Sequence, residues 1–199
     1  MTFYDAFAVS MALVVVGTYL MNRWRDVEYV VSDIDNQTYL VRKAEDSLQA
    51  ANMLARLNDK VQRLIRHLIQ KYPNDDRTLL LDERYNPKAL SEGTEEVGYT
   101  SYSINKGERI VMCLRSRDVK SSIEKENTLM YVLIHELAHL ATPEVGHTKQ
   151  FWRNFKFLIH EAVELGIYVD KDYSKKPVSY CGIKIDSSSI TQNPQKSEL

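Results

Sequence analysis

The sequence predicts an α+β domain that follows an N-terminal transmembrane helix. Three observations lead to this fold class: an apolar run at the N-terminus, a long amphipathic helix, and a β-hairpin directly before an apolar helix. The predicted divisions are 1–22 as membrane anchor, 23–43 as juxtamembrane linker, 44–186 as the α+β domain and 187–199 as a disordered tail. A chain of 199 residues has room for one moderate domain and an appendage.

The N-terminal run from Phe3 to Met21 is apolar, and Asp5 is its one charged residue. About 20 apolar residues cross a bilayer as a helix, so the run is just long enough. No Lys or Arg precedes it, which disfavours a cleaved signal peptide, whereas Arg23 and Arg25 follow it. This charge distribution predicts a single-pass membrane protein with its C-terminal domain on the cytoplasmic side.

The composition is that of an ordinary globular protein, with 44% hydrophobic residues, 27% charged residues and a net charge of −1. Nucleic acid is not the expected partner, because the chain has no overall basic charge to attract it. Composition alone does not exclude nucleic acid. Cys113 and Cys181 are too few for a disulfide framework, and such a low count is typical of a reducing compartment.

A long helix is predicted from about Ala44 to Lys71, where apolar residues recur at spacings of three and four until Pro73 ends the pattern. This helix is expected to pack over the core of the domain. Its three heptads leave a homodimer through residues 44–71 open as an alternative.

A β-hairpin is predicted directly before the apolar helix. Residues 99–104 alternate as a strand, residues 105–108 form a turn, and residues 109–114 return. Residues 72–96, before the hairpin, are rich in turn residues, with a short buried segment at 79–81. A further strand is expected around Val178 to Ile185.

The apolar helix carries the pattern H-E-x-x-H, formed by His135, Glu136 and His139. With about 3.6 residues per turn, the two histidines lie one turn apart on the same face, so both imidazoles can bind one metal ion. Glu136 can hold a water molecule without binding the ion, and the pattern is typical of zinc metalloproteases. Zn²⁺ is therefore the expected cofactor. Two core histidines are the alternative, but each buried imidazole would then need its own hydrogen-bond partner.

A catalytic zinc site needs a third protein ligand. Pro143 ends the helix, and Gly146 permits a tight turn that returns His147 towards the metal, just before a new helical pattern over residues 149–165. His147 is therefore the favoured third ligand. The alternatives that stay open are Glu144 in the turn and Glu161 and Glu164 on the following helix.

At these residues, H-E-L-A-H followed by G-H-x-x-x-F-W, the chain resembles the WLM and SprT-like zinc metallopeptidases. These are small zincins, and they include the DNA–protein crosslink repair proteases. The resemblance covers about residues 95–185. It implies a zincin-like domain with a small β-sheet, an active-site helix and packing helices, and a sheet edge that binds an extended peptide. It also implies that His135, His139 and His147 bind zinc and that Glu136 is the catalytic base.

The expected activity is hydrolysis of peptide bonds in a protein or peptide substrate by a membrane-anchored zinc enzyme with Glu136 as general base. Tyr173 and Tyr180 are candidate oxyanion stabilisers, because a phenol can donate to a developing negative charge, and packing is the alternative role for both. Two other functions stay open: a catalytically silent, zinc-stabilised scaffold of a membrane or virion assembly, and a DNA–protein crosslink repair protease. A scaffold has no need of an acidic Glu136, which favours the enzyme.

Overall fold

The computed structural model describes residues 7, 10–11, 14–18, 26–94, 101–118 and 121–186. Helices and strands both contribute to the core, which confirms the predicted α+β class. The helices are α1 (Ser47–Lys71), α2 (Asp76–Arg84), α3 (Glu126–Leu140) and α4 (Lys149–Glu164). The strands are β1 (Val27–Val31), β2 (Thr38–Arg42), β3 (Leu90–Glu92), β4 (Ser101–Ile104), β5 (Arg109–Met112), β6 (Val178–Tyr180) and β7 (Ile183–Ile185).

Helix α1 forms the centre of the core, as its apolar periodicity predicts. The residues of its predicted apolar stripe are all fully buried, which fits a helix packed on several sides. These residues are buried within this chain's own core. The homodimer through residues 44–71 is a separate question and stays a prediction. The stripe consists of Ala50, Leu54, Leu57, Val61, Leu64 and Leu68.

A three-stranded sheet in the order β3-β5-β4 lies beside the helices. Strand β4 pairs antiparallel with β5, which confirms the predicted hairpin, and β3 pairs parallel with β5 on its other side. In the described part of the chain, β4 is therefore an edge strand. Its outer side faces helix α3, and this placement brings the sheet edge to the candidate site.

Strands β1 and β2 form an antiparallel hairpin inside the segment predicted to be a linker, residues 23–43. Tyr39 and Val41 of this hairpin are buried, and Asn58 of α1 donates a hydrogen bond to the Tyr39 hydroxyl at 3.0 Å. These residues therefore belong to the core, and the linker prediction is wrong for them. The strands are only five residues long, so their alternation is too short to stand out in the sequence.

Helix α2 occupies the segment predicted to consist of turns and a short buried stretch. Asp75 caps its N-terminus by accepting a hydrogen bond from the Arg77 backbone N–H. Leu81 is fully buried, whereas Leu79 is half exposed. One face of α2 thus points inward. The turn residues before it, which suggested a loop, include the residue that caps the start of this short helix.

A disulfide joins Cys113, directly after β5, to Cys181, in the turn between β6 and β7. The sequence predicted no framework of several disulfides, and it gave no indication of this single pair. The two residues are 68 positions apart in sequence, while their Cα atoms are 6.3 Å apart. A cysteine count can argue against a framework of several bridges, but it says nothing about one pair that the fold brings together.

The predicted single-pass membrane topology is contradicted. Among the described residues, no helix combines the length and the apolar composition needed to cross a bilayer. Within the run from Phe3 to Met21, the structure describes residues 7, 10–11 and 14–18. The rest of that run, and the predicted disordered tail at 187–199, lie outside the described residues.

The turn between β4 and β5 is a close contact that can be tested. Gly107 has φ of +114°, and a Cβ atom there would lie 2.2 Å from the Arg84 carbonyl oxygen at the end of α2. We expect Gly107→Ala to lower the free energy of unfolding by more than about 2 kcal/mol, because both strain and a backbone clash oppose the methyl group. Urea denaturation measures this loss.

The matched control is Gly166→Ala. Gly166 also has a positive φ, of +70°, but a Cβ atom there would meet nothing within 4 Å. Its cost should be limited to the backbone strain, about 1 kcal/mol. Equal losses for the two variants would contradict the packing of the turn against α2.

Candidate metal centre

Helix α3 presents His135 and His139 on one face, with their ring centres 5.1 Å apart. Most other positions of this helix are apolar and buried, which is typical of a helix packed on several sides. The face that carries the histidines lines a cleft. The i, i+4 spacing predicted from the sequence therefore places two imidazoles side by side, as one metal ion requires.

His147 lies in the loop between α3 and α4 and returns to the same point. Its Nε2 atom is 3.0 Å from His135 Nε2, and its ring centre is 4.9 Å from those of both helical histidines. One nitrogen from each of the three residues lies within 4.8 Å of the other two. Ligand nitrogens on one tetrahedral zinc are roughly 3.3 Å apart, since each Zn–N bond is about 2.0–2.1 Å long. The three histidines fit such an ion.

Burial keeps these histidines neutral. It lowers the pKa of His135 to about 3 and that of His139 to about 4, and the neighbouring imidazoles add to both shifts. Burial also lowers the pKa of His147. Neutral imidazole is the form that binds metal ions, so the cluster does not have to release protons before it binds one at neutral pH.

Glu136 lies beside the histidine cluster and is 5% exposed. Its carboxylate accepts hydrogen bonds from the hydroxyl and the backbone N–H of Ser103 on β4, while burial raises its pKa to about 7. A carboxyl group with a pKa near neutrality can both take up and release a proton. Ser103 gave no signal in the sequence, because it is 33 positions away and lies on a different element.

The carbonyl groups at the C-terminal end of α3 are bound by side chains from three other elements. Lys106 Nζ donates to the Thr142 and Glu144 carbonyl oxygens at 2.8 and 2.7 Å. Arg84 Nη1 donates to the Leu140 carbonyl oxygen at 2.7 Å, and Asn154 Nδ2 donates to the Ala141 carbonyl oxygen at 3.0 Å. These bonds satisfy exposed helix-end carbonyls and fix the loop that carries His147.

Helix α4 supplies an aromatic wall behind the histidines. Its N-cap residue, Thr148, follows His147 directly and accepts a hydrogen bond from the Phe151 backbone N–H. The Phe151 ring centre lies 4.3 Å from that of His139 and 4.9 Å from that of His135. The aromatic ring that follows His147 by four residues thus packs against the imidazoles of α3.

The glutamates considered as alternative third ligands lie elsewhere. Glu161 and Glu164 are at the far end of α4, where His67 Nε2 is 3.0 Å from Glu161 Oε2. Lys71 Nζ lies 3.0 and 2.7 Å from the two carboxylates, so an ammonium group already occupies the place of a cation. Glu144 contributes its backbone carbonyl to the loop. The candidate ligands that meet at α3 and its following loop are therefore His135, His139 and His147.

The two tyrosines considered as oxyanion stabilisers differ in position. Tyr180 lines the cleft, and its hydroxyl donates to the Cys113 carbonyl oxygen at 2.8 Å. Tyr173 is fully buried with its ring centre 4.9 Å from that of Tyr131, and it does not line the cleft. In this conformation the Tyr180 proton is donated to that carbonyl oxygen.

A cleft of about 710 Å³ opens over the histidine cluster. One wall is β4, through Ser101, Tyr102 and Ser103, and another is the β6–β7 hairpin, through Ile183 and Ile185. Helix α3 forms its floor. Its two walls thus offer a strand edge on one side and apolar side chains on the other.

Removing any one histidine of the cluster should weaken zinc binding. We expect His135→Ala, His139→Ala and His147→Ala each to lower zinc affinity by about 10²-fold or more, because each variant leaves two protein ligands where a stable site needs three. Chelator competition measures the affinity. The control is His67→Ala, which should bind zinc as the unaltered chain does. Loss of zinc in that variant alone would move the site to the Glu161 cluster.

Lys106→Met tests whether the loop contacts position His147. The methionine keeps the apolar length of the side chain but removes its hydrogen bonds to the two carbonyl oxygens. We expect zinc affinity to fall by about tenfold, the usual scale for a group that orients a ligand. Lys88→Met, at an exposed lysine, is the control and should leave affinity unchanged. Identical affinities in both variants would show that the loop holds its place without Lys106.

The chain matches the family model "WLM domain" over residues 33–198. It is 35% identical over 184 residues to "Uncharacterized protein R325" of Acanthamoeba polyphaga mimivirus, covering 90% of this chain and 93% of that protein. It is 27% identical over 143 residues to "Uncharacterized protein 136R" of Invertebrate iridescent virus 6, covering 68% and 78%.

Among solved structures, Wss1 from Saccharomyces cerevisiae matches with a TM-score of 0.49 and 18% identity, over 64% of this chain and 88% of that one. The family match spans most of the chain and includes the histidine cluster, Glu136 and the β4 edge. The resemblance seen in the motif is thereby confirmed, and the chain belongs to the WLM domain family.

Proposed function

We propose that this chain is a zinc-dependent metallopeptidase. The observation that carries the proposal is the placement of Glu136: a buried carboxylate held by Ser103, beside three convergent histidines and outside their ligand set. A metal site that only stabilises a fold needs ligands and no adjacent base. A hydrolytic site needs such a base within reach of the attacking water.

Zinc bound by the three histidines would lower the pKa of a water molecule and polarise the scissile carbonyl. Glu136 is placed to take the proton of the attacking water and to pass it to the departing amine. Its pKa of about 7, raised by burial, suits both transfers. Ser103 fixes the direction of the carboxylate, so the base does not have to be ordered during the reaction.

The substrate lies along β4 in this proposal. Strand β5 pairs with the inner side of β4, and the outer side lines the cleft. An extended peptide can add to a strand edge through backbone hydrogen bonds, which do not depend on its side chains. The apolar side chains of Ile183 and Ile185 across the cleft then contact the side chains of that peptide.

Glu136→Gln is the direct test, because it keeps the size of the side chain and removes the proton acceptor. We expect peptide hydrolysis to fall by about 10²-fold or more, with zinc content and folding unchanged. Cleavage of an unfolded protein, with products identified by mass spectrometry, provides the measurement. Glu83→Gln, at an exposed position, is the control and should retain full activity. If the unaltered, zinc-loaded chain and Glu136→Gln are equally inert, a zinc-stabilised scaffold becomes the better account.

A further inference from the structure

The disulfide between Cys113 and Cys181 lies next to the candidate cleft. It connects the end of β5 to the turn of the β6–β7 hairpin, and Cys181 is almost fully buried. In the described part of the chain, β6 and β7 pair with each other and form a sheet of their own. No backbone ladder therefore joins this hairpin to the three-stranded sheet, and side-chain links and the disulfide must fix its position.

Three hydrogen bonds close a ring at the same place. The Cys113 backbone N–H donates to Ser101 Oγ at 3.1 Å, Ser101 Oγ lies 2.8 Å from the Tyr180 hydroxyl, and that hydroxyl donates to the Cys113 carbonyl oxygen at 2.8 Å. A backbone N–H can only donate and a carbonyl can only accept, so the protons have one arrangement: Ser101 donates to Tyr180. The disulfide links the end of β5 to the hairpin, and the ring links these same two segments to β4 as well.

These three segments are also parts of the cleft. Ser101 and Tyr180 line it, and Ile183 and Ile185 follow Tyr180 on the hairpin. Ser103, two residues along β4 from Ser101, holds the Glu136 carboxylate. A shift of the hairpin would therefore move one wall of the cleft directly and disturb the other wall, β4, through Ser101.

We infer that the Cys113–Cys181 disulfide positions the peptide-binding walls of the cleft, so that affinity for substrate depends on whether this bond is formed. The inference rests on the proposed peptidase function. A dithiol reductant supplies the two electrons and two protons that convert the disulfide to two thiols, and it leaves as a cyclic disulfide. The three histidines stay in place, because α3, α4 and the loop between them hold these residues without the hairpin. Glu136 keeps its position on α3, while its contact with Ser103 loosens together with β4.

The competing account is that the disulfide only stabilises the whole fold by restricting the unfolded chain. The two accounts differ in what changes when the bond is absent. Loss of overall stability lowers the amount of folded enzyme and affects all elements. Loss of positioning raises KM more than it lowers kcat and leaves zinc content unchanged, because it weakens peptide binding most and reaches Glu136 only through Ser103.

The experiment compares the zinc-loaded full chain with the double variant Cys113→Ser/Cys181→Ser, well below the unfolding temperature of both. We expect KM for an unfolded-protein peptide to rise by about tenfold and kcat to fall by a smaller factor, about threefold, because Ser103 loosens with β4. Amide hydrogen exchange should speed up in residues 101–104 and 178–185 and stay the same in residues 126–140. Treating the unaltered chain with a dithiol, then reoxidising it, should reproduce and reverse these changes.

Tyr180→Phe provides a second variant that keeps the disulfide. It removes the hydroxyl from the ring, and we expect KM to rise in the same direction by a smaller factor, with zinc content unchanged. The matched control is Tyr85→Phe. Tyr85 is also buried, and its hydroxyl donates to Asn58 Oδ1 at 2.7 Å, far from the cleft lining. Its removal should lower stability and leave KM unchanged.

Two results would overturn the inference: an unchanged KM together with unchanged exchange in the double variant, or faster exchange in all elements including residues 126–140. If the unaltered chain hydrolyses no peptide, the proposed function fails, and the exchange measurement still decides the positioning claim. Local loosening of β4 and the hairpin supports it, and uniform or absent loosening refutes it.

Discussion

The packing of α4 against α3 is the contact on which the candidate site depends. Phe151 lies against both helical histidines, and Asn154 donates a hydrogen bond to the Ala141 carbonyl oxygen at the end of α3. Because Thr148 begins α4 directly after His147, this packing also determines where the third imidazole lies. Two histidines on one helix provide two of the three protein ligands that a zinc site needs. The packing of α4 places the third candidate ligand, His147, beside them.

The sheet contributes the second half of the site through its edge. Strand β4 and its turn reach α3 at two points: Ser103 binds the Glu136 carboxylate, and Lys106 binds carbonyl groups after the helix. One short segment thus orients the proposed base, braces the loop that carries His147 and lines the cleft. These contacts can share a few residues because an edge strand pairs with its sheet on one side and faces other elements on the other side.

Local patterns predicted the parts of the site that lie close together in sequence. The i, i+4 spacing of His135 and His139 fixes their common face once a helix forms, and the Pro and Gly before His147 predict a return turn. Contacts between distant residues left no such pattern, as the bond between Cys113 and Cys181 illustrates. The predicted membrane span came from hydropathy alone, and no helix within the described ranges is long and apolar enough to cross a bilayer.

The claim at the centre of this account is that three histidines converge on one zinc ion and leave a coordination position open beside Glu136. Anomalous scattering at the zinc edge from crystals of the zinc-loaded chain tests it directly. The account predicts one strong peak, about 2.0–2.1 Å from one nitrogen each of His135, His139 and His147, with the Glu136 carboxylate beyond bonding distance. A peak bound by a glutamate of the loop or of α4, or one located at the His67 cluster, would contradict it.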